Sequence, residues 1–468
     1  MNQDSHLRVP TNASRTPTLE RNTLKLQHAI AMSIAAMSPV GSIFINTIPQ
    51  AGLVGAAIPL CYVIGFGIAL LIANQISLMA AEFPTSGSLY TFVTQGLGVR
   101  WGFLVGWFSL ISSGVTIPVV VLLMSASLQD LFLRWFSVHL DWTIWYGIFS
   151  AIVFVVCYRG IRFSLQLDFT LLIFEIGVCL LLALIVLVQA GKTGQIAIAP
   201  FTLQKLPPNS NLVLGIVLSI LSFVGFESAT TLGEEVQKPR QTIPRAMTIS
   251  LVFVGAFYIL MAYVATIGYG ISQMASFAQD TIPFDTIARR AWGNGLALVI
   301  DFAGIMAGYA CAVAFLNGAA RIVYAMSREA LFPAWFAQIH PTYRTPANAI
   351  WGLSGMSLVV GLGLGMLWTP IATYGFLGTL LTLAVLIIYG LVSLACWRYF
   401  SIQRRTRHSL HHHVLPWLSI IVILGILVGT VYPSPPAPLS LAPYIILVWL
   451  LLGMIVFWFL DKKHIQKA

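Results

Sequence analysis

Taking apolar runs of about 17 to 27 residues as helices that cross a hydrocarbon core about 30 Å thick, the chain holds twelve. Their approximate limits are 28–46, 53–81, 101–128, 142–158, 168–189, 212–232, 247–271, 295–326, 347–367, 371–397, 414–432 and 441–460. Polar residues collect in the connections and in two tails, 1–27 and 461–468. The first tail has Pro, Thr, Ser and Asn but no apolar core, so it reads as a short disordered cytoplasmic segment and not as a cleavable signal peptide. Insertion is then directed by the first membrane helix. The expected class is an all-α polytopic membrane protein.

Composition agrees, since 58% of the residues are hydrophobic and 9% charged, against about a quarter charged in soluble proteins. The net charge of +10 raises nucleic acid as a partner, but the positions of the basic residues give a different answer. With a cytoplasmic N-terminus, 20 of the 25 Lys and Arg fall on the cytoplasmic side, leaving Arg134, Lys192, Lys205, Arg289 and Arg290 outside. This is the positive-inside bias. It predicts both termini in the cytoplasm, an even number of spans, a plasma (inner) membrane location, the lipid bilayer as partner and no nucleic acid. The five Cys lie within or at the ends of spans without metal-type pairing, so no disulfide framework, metal site or cofactor is expected.

The chain is organised around residues 220–247, where an apolar helix meets Val224-Gly225-Phe226 and then Glu227. A carboxylate about 15 residues along a crossing helix lies a little over 20 Å in, past the middle of the bilayer. Holding it there costs a few kcal/mol, which marks a group in a functional cavity; the plainer reading is a Glu satisfied by neighbouring helices. Span one has a counterpart in Ser38-Pro39-Val40-Gly41-Ser42-Ile43, where Pro39 removes a backbone donor. Ser38 lies about 15 Å in, and irregular backbone at that depth survives only against protein or a cavity. A simple Pro kink is the alternative.

The two interruptions correspond. Span one breaks near Pro39 after entering from the cytoplasm, and span six breaks near Gly225 after entering from outside. Broken helices five spans apart and opposite in direction are the mark of an inverted-repeat transporter. Residues 28–189 (spans one to five) form one repeat and 212–397 (spans six to ten) the other, with the helices of 414–460 added. The half-helix beginning near Gly41-Ser42-Ile43 offers free N–H groups to a carboxylate, and the carbonyls after Phe223-Val224 suit an ammonium group. Together they suit a zwitterion.

Glu175 lies about seven residues into span five with no nearby Lys in the sequence. It is the candidate proton carrier, because a carboxyl in apolar surroundings exchanges a proton more cheaply than it carries a bare charge. A structural Glu bonded to a neighbouring helix is the alternative. Asp301 is expected to border the exterior vestibule, and Asp168 to neutralise Arg159 or Arg162. Arg321 and Arg328 are read as surface residues on one helical face, and His408, His411, His412 and His413 as a solvated basic turn.

These stretches resemble the amino acid, polyamine and organocation (APC) permease superfamily over most of residues 25–397. The most specific parts are Ser222-Phe223-Val224-Gly225-Phe226-Glu227-Ser228 with Glu234-Glu235, Pro239 and Ile243-Pro244-Arg245, and the set Asn317, Arg321, Arg328, Pro333 and Thr345-Pro346. The resemblance implies a leucine-transporter (LeuT) type fold, with twelve helices in a 5+5 inverted repeat. It also implies alternating access, a substrate held by its carboxylate and amine at the two breaks, and Glu227 linking that site to the gates. Two features depart from the family. Its usual Gly-Ser-Gly-Ile-Phe is Val40-Gly41-Ser42-Ile43-Phe44 here, and the span-five lysine of proton-coupled relatives is replaced, at what looks like the matching place, by Glu175.

The expected function is a secondary transporter for amino acids or related small amines, proton-coupled or exchanging, and monomeric or homodimeric. Its expected substrate-binding residues are Ser38, Val40, Gly41, Ser42, Ile43, Phe223, Val224, Gly225, Phe226 and Glu227, with Glu175 and Glu227 as proton-coupling candidates. Leu221, Phe223 and Phe226 lean toward a neutral side chain, with a cationic one open. An intramembrane enzyme is disfavoured because all nine His lie in tails, loops or span ends. A non-transporting nutrient sensor lacks a long cytoplasmic domain through which to signal.

Overall fold

The computed structural model describes residues 19, 22–208, 210–280, 282–403, 410–432 and 439–465. Most of the expected 1–27 tail, His408 and residues 466–468 lie outside them. Sixteen α-helices follow in chain order: α1 (Leu26–Met37), α2 (Pro39–Val54), α3 (Ile58–Glu82), α4 (Ser88–Leu97), α5 (Val99–Phe136), α6 (Trp142–Arg159), α7 (Ile161–Lys192) and α8 (Leu212–Phe223). After a 3-10 segment, Phe226–Leu232, come α9 (Pro239–Tyr269), α10 (Met274–Phe277), α11 (Pro283–Trp292), α12 (Asn294–Arg328), α13 (Ala347–Leu367), α14 (Pro370–Arg398), α15 (Leu415–Val431) and α16 (Ala442–Ile465). The last extends into residues read from the sequence as a tail.

Among the described residues, eleven helical stretches are long and apolar enough to cross a membrane, where the sequence predicted twelve. The difference lies at the start. Leu26–Glu82 forms one stretch of 57 residues, because α1, α2 and α3 are joined only by Ser38 and a short 3-10 turn at Gly55–Ala57. The chain is a polytopic, all-helical membrane protein. Its outward faces are apolar, as at Ile173 and Leu184 of α7, each 60% exposed.

Hydrocarbon gives no hydrophobic drive between helices, so close packing and polar contacts must hold the bundle. At Gly96 an added Cβ would lie 2.6 Å from the Ala395 carbonyl oxygen, so α4 meets α14 backbone to backbone. At its centre α1 packs on α7, α9, α12 and the 3-10 segment, while α5 lies along both α12 and α14. The outlying α16 is fixed on α5 by stacked Trp107 and Trp449, 4.6 Å apart, each donating its indole N–H to the other's carbonyl at 2.9 and 3.1 Å.

The end at which α1 begins, the near end, is tied across the chain. Leu24 pairs with Val236 in a parallel bridge, and Thr23 and Leu24 N–H groups donate to Glu235 O at 3.0 and 3.1 Å. Arg328 donates to both oxygens of Glu234 at 2.9 and 3.1 Å, and Ser86 Oγ donates to Glu234 Oε1 at 2.7 Å. Burial opposes the charge on Glu234, but the bonds from Ser86 and Arg328 outweigh it and hold that carboxyl below its ordinary range. Arg321 corrects the sequence reading: it is 1% exposed, paired with an equally buried Glu235. The histidine turn is also packed. His412 is buried and stacked on Phe400 at 4.4 Å, and His413 bonds Ser401 at 2.9 Å.

Candidate functional site

The first break is a single residue. Ser38 takes a left-handed conformation, φ 47° and ψ 67°, which most side chains avoid. α2 then restarts at Pro39, two residues before the expected position, because proline's fixed φ and missing N–H suit the first position of a helix. Ser38 Oγ donates to Ala307 O of α12 at 3.2 Å, and Ser42 Oγ donates to Met37 O at 2.8 Å.

The second break follows α8. Val224 leaves helical geometry, and Gly225 sits at φ +107°, where a Cβ would lie 2.8 Å from the Ala36 carbonyl carbon. Only glycine suits both that backbone angle and that approach. The two interruptions are thus in direct contact. Ser33 of α1 adds a two-way link, donating to Phe226 O at 2.7 Å and accepting from Ala229 N–H at 3.3 Å.

Tyr258 of α9 completes the junction and went unnoticed in the sequence. Its hydroxyl lies 2.9 Å from Met37 O and 2.7 Å from Ser222 O, sharing one hydrogen between carbonyls of both broken helices. Tyr62 and Asn46 bond Ser222 Oγ at 3.0 and 2.8 Å. The available signal was tyrosine deep in an apolar span, since a buried phenol requires a partner.

A cavity of about 610 Å³ runs from these breaks to the far end of the bundle. Of the predicted residues it is lined by Ser38, Gly41, Ser42 and Val224. Val40, Ile43, Phe223 and Phe226 are buried beside it and do not line it. Phe223 packs on Tyr258 at 5.1 Å, and Phe226 on Tyr389 at 5.7 Å. Asp301 lines the cavity, together with Asp130, Arg134 and Asp285. Arg134 lies 2.5 Å from Asp130 and 4.0 Å from both Asp285 and Asp301, and Arg289 Nε donates to Asp285 Oδ2 at 2.6 Å, so two cations stand among three carboxylates at the mouth.

Glu227 faces the other way. Its Oε2 accepts from Gly225 N–H at 3.1 Å and from Tyr389 OH at 2.7 Å. It lines a smaller pocket of about 40 Å³, separate from the cavity and on the near side of the break. Phe315 of α12 lines both spaces.

Glu175 is wholly buried, and neither of its oxygens has a hydrogen-bond partner among the described residues. Asp168 is the same, without the expected pairing with Arg159, while the side chain of Arg162, its other expected partner, lies outside the described residues. The two are seven residues apart on α7, about 10 Å along the axis. Neither lines the large cavity.

The family model described as "Amino acid permease" matches residues 24–457. The branched-chain amino acid permease BcaP of Bacillus subtilis (strain 168) is 24% identical over 92% of this chain and 91% of its own length. The low-affinity putrescine importer PlaP of Escherichia coli (strain K12) is 25% identical over 86% of each chain. The methylthioribose transporter of Bacillus subtilis (strain 168) is 22% identical over 82% of this chain and 81% of its own length.

Proposed function

The chain belongs to the amino acid permease family, and from that premise we propose that it is a secondary active transporter moving amino acids or related small amines by alternating access. The single observation that carries this is the cavity ending on both helix breaks. Its floor offers backbone N–H groups at the start of α2 and polar backbone at the end of α8, which suit the two charged ends of a zwitterion.

The reading assigns twelve crossings. Leu26–Glu82 is about 85 Å of helix at 1.5 Å per residue, enough for two passages, one through α1 and α2 and one back through α3. Residues 28–189 and 212–397 are then inverted repeats, supported by breaks of opposite direction in the first helix of each, with 414–460 added outside them. The excess of Lys and Arg on one side supports cytoplasmic termini in a plasma (inner) membrane. In this orientation the large cavity opens outward, and the Arg321–Glu235 and Arg328–Glu234 pairs close the cytoplasmic side.

Ser38, Gly41, Ser42 and Val224 contact substrate in this reading, with Val40, Ile43, Phe223, Gly225 and Phe226 shaping the site behind them. Glu227, joined to the second break through Gly225 N–H, couples the site to the inner gate. Glu175 is the titrating group if transport is proton-coupled. The putrescine-importing relative supports an amine as substrate beside an amino acid. Uptake by proteoliposomes of labelled amino acids and amines, with and without a proton gradient, tests the proposal. Accumulation of none of them would overturn it.

A further inference from the structure

Asp168 and Glu175 lie inside the bundle on α7, both fully buried and both without a hydrogen-bond partner among the described residues. Neither can hold a bare charge there cheaply, so each is suited to take up a proton and pass it on. Glu175 has its neighbours at the helix breaks. Tyr258, within its electrostatic reach, bonds Met37 O, and Cys311, also within reach, donates its thiol to Ala36 O at 3.5 Å and lines the large cavity.

Asp168 belongs instead to a polar track that leads to the near end. One helical turn toward that end, Ser164 Oγ accepts from Asn317 Nδ2 at 3.1 Å, and the Asn317 carbonyl accepts from Arg321, the buried partner of Glu235. The Ser164 bond to Asn317 and the Phe174 ring against Phe302 show that α7 and α12 run in opposite directions. Measured from the first of these toward the far end, Asp168 lies about 6 Å along, Tyr309 about 12 Å and Glu175 about 16 Å. The Tyr309 hydroxyl, at the level between the two carboxyls, is buried and also without a hydrogen-bond partner among the described residues. A phenol can both donate and accept.

The groups within electrostatic reach of Asp168 are Glu175, Cys157 of α6, and Tyr309 and Cys311 of α12. Of the other helices packed on α7, α1 and α2 bring only His28, at the start of α1, and α9 faces Glu175 with Tyr258. The charged residues of α11, Asp285, Arg289 and Arg290, stand at the far end. Among the described residues, none of the groups in reach of Asp168 is a cation.

Resting on the transporter reading above in its proton-coupled form, we infer that Asp168 is a second proton-carrying residue, which receives the coupled proton from Glu175 and releases it to the cytoplasm when Arg321 and Glu235 part. In that step an O–H bond of the Glu175 carboxyl breaks and one forms on Asp168. The single negative charge of the pair moves the other way, from Asp168 to Glu175. Only one of the two is charged at a time, because like charges in a low-dielectric interior oppose each other. Glu175 thus exchanges with the outward cavity and Asp168 with the cytoplasm.

The test uses the full-length chain in proteoliposomes, acidic outside and with the membrane potential clamped, and labelled L-leucine, L-lysine and 1,4-diaminobutane. For one proton per molecule, a gradient of about one pH unit supports about tenfold accumulation of whichever compound the wild type moves. Asn has the shape of the protonated acid, and exchange at equal pH needs no proton release. Asp168→Asn is therefore expected to keep counterflow of that compound and to lose its gradient-driven accumulation. Undiminished accumulation in this variant overturns the inference by leaving proton release to another group. Loss of counterflow together with accumulation also overturns it, by making Asp168 structural. Should the variant fail to fold, the wild type treated with dicyclohexylcarbodiimide, which couples to protonated carboxyls, decides the matter. Mass spectrometry is expected to find the adduct on Asp168 as well as on Glu175, and its absence from Asp168 overturns the inference. Failure is separable from failure of the transporter reading: wild-type counterflow without gradient-driven accumulation removes only the inference, whereas counterflow of none of the three compounds removes both.

Discussion

Arg321 Nε lies 2.6 Å from Glu235 Oε2 and its Nη2 3.3 Å from Oε1, a two-pronged ion pair in which both side chains are 1% exposed. Nη1 also donates to Asn317 O at 2.7 Å, so the guanidinium is satisfied within α12 as well. The pair clamps the chain just beyond the 3-10 segment onto α12. Breaking a buried pair from one side strands a charge, at about 3–5 kcal/mol, whereas replacing both members with apolar residues is far less harmful. Arg321→Met is therefore expected to lower the thermal midpoint in detergent sharply, and adding Glu235→Leu to restore most of the loss. Equal destabilisation by the single and double variants would contradict this.

Glu234 gives the near end a pH dependence of definite sign. Its folded carboxyl is held below the ordinary value of 4.5 by Ser86 and Arg328. The resulting stabilisation is complete above the unfolded value and is lost as pH falls through the folded one. Lowering the pH from 6 toward 3 should therefore shift the midpoint of the wild type more than that of Glu234→Gln. Parallel curves would argue against the latch.

The two break residues should respond in opposite ways to glycine chemistry. Gly225→Ala places a methyl 2.8 Å from the Ala36 backbone in a positive-φ conformation, so expression and the thermal midpoint should fall, by several kcal/mol where the backbones cannot part. Ser38→Gly relieves about 1 kcal/mol of left-handed strain and gives up a hydrogen bond of about the same worth, so its net effect should lie within about 1 kcal/mol. Comparable damage from both would show that the junction is not set by backbone geometry.

The breaks themselves were legible because proline and glycine punctuate a helix locally. Pro39 and Gly225 announce their effect without knowledge of any neighbour. The burial of Arg321 was not legible, since its partner Glu235 is 86 residues away and only the folded bundle brings the two together. Tyr258 was missed for the same reason, because its two carbonyl partners lie on other helices. Glu227 stands out in the sequence as an acid within an apolar span, but its direction, toward Tyr389 and away from the large cavity, depends on the turn at Gly225. The number of crossings is less directly legible where α1 to α3 run on as one helical stretch of 57 residues, which length and hydropathy alone do not divide.

Glu175 has no hydrogen-bond partner among the described residues, so Gln is expected to fit its site with little loss of stability. The groups within electrostatic reach are Asp168 and Cys179 on α7, Tyr258 on α9 and Cys311 on α12, none of them cationic. If Glu175 carries the coupled proton, Glu175→Gln will bind substrate but lose the pH dependence of uptake. Unchanged pH dependence would assign the proton elsewhere, with Asp168→Asn the next variant to measure.

Counterflow in proteoliposomes tests the central claim most directly, because it requires binding at the breaks, passage through the membrane and release. Vesicles loaded with an unlabelled amino acid or amine are expected to accumulate the labelled form of the same compound, and to lose that accumulation in Glu227→Ala. Ligand binding without counterflow for any compound in the panel would contradict the account and leave a receptor in place of a carrier.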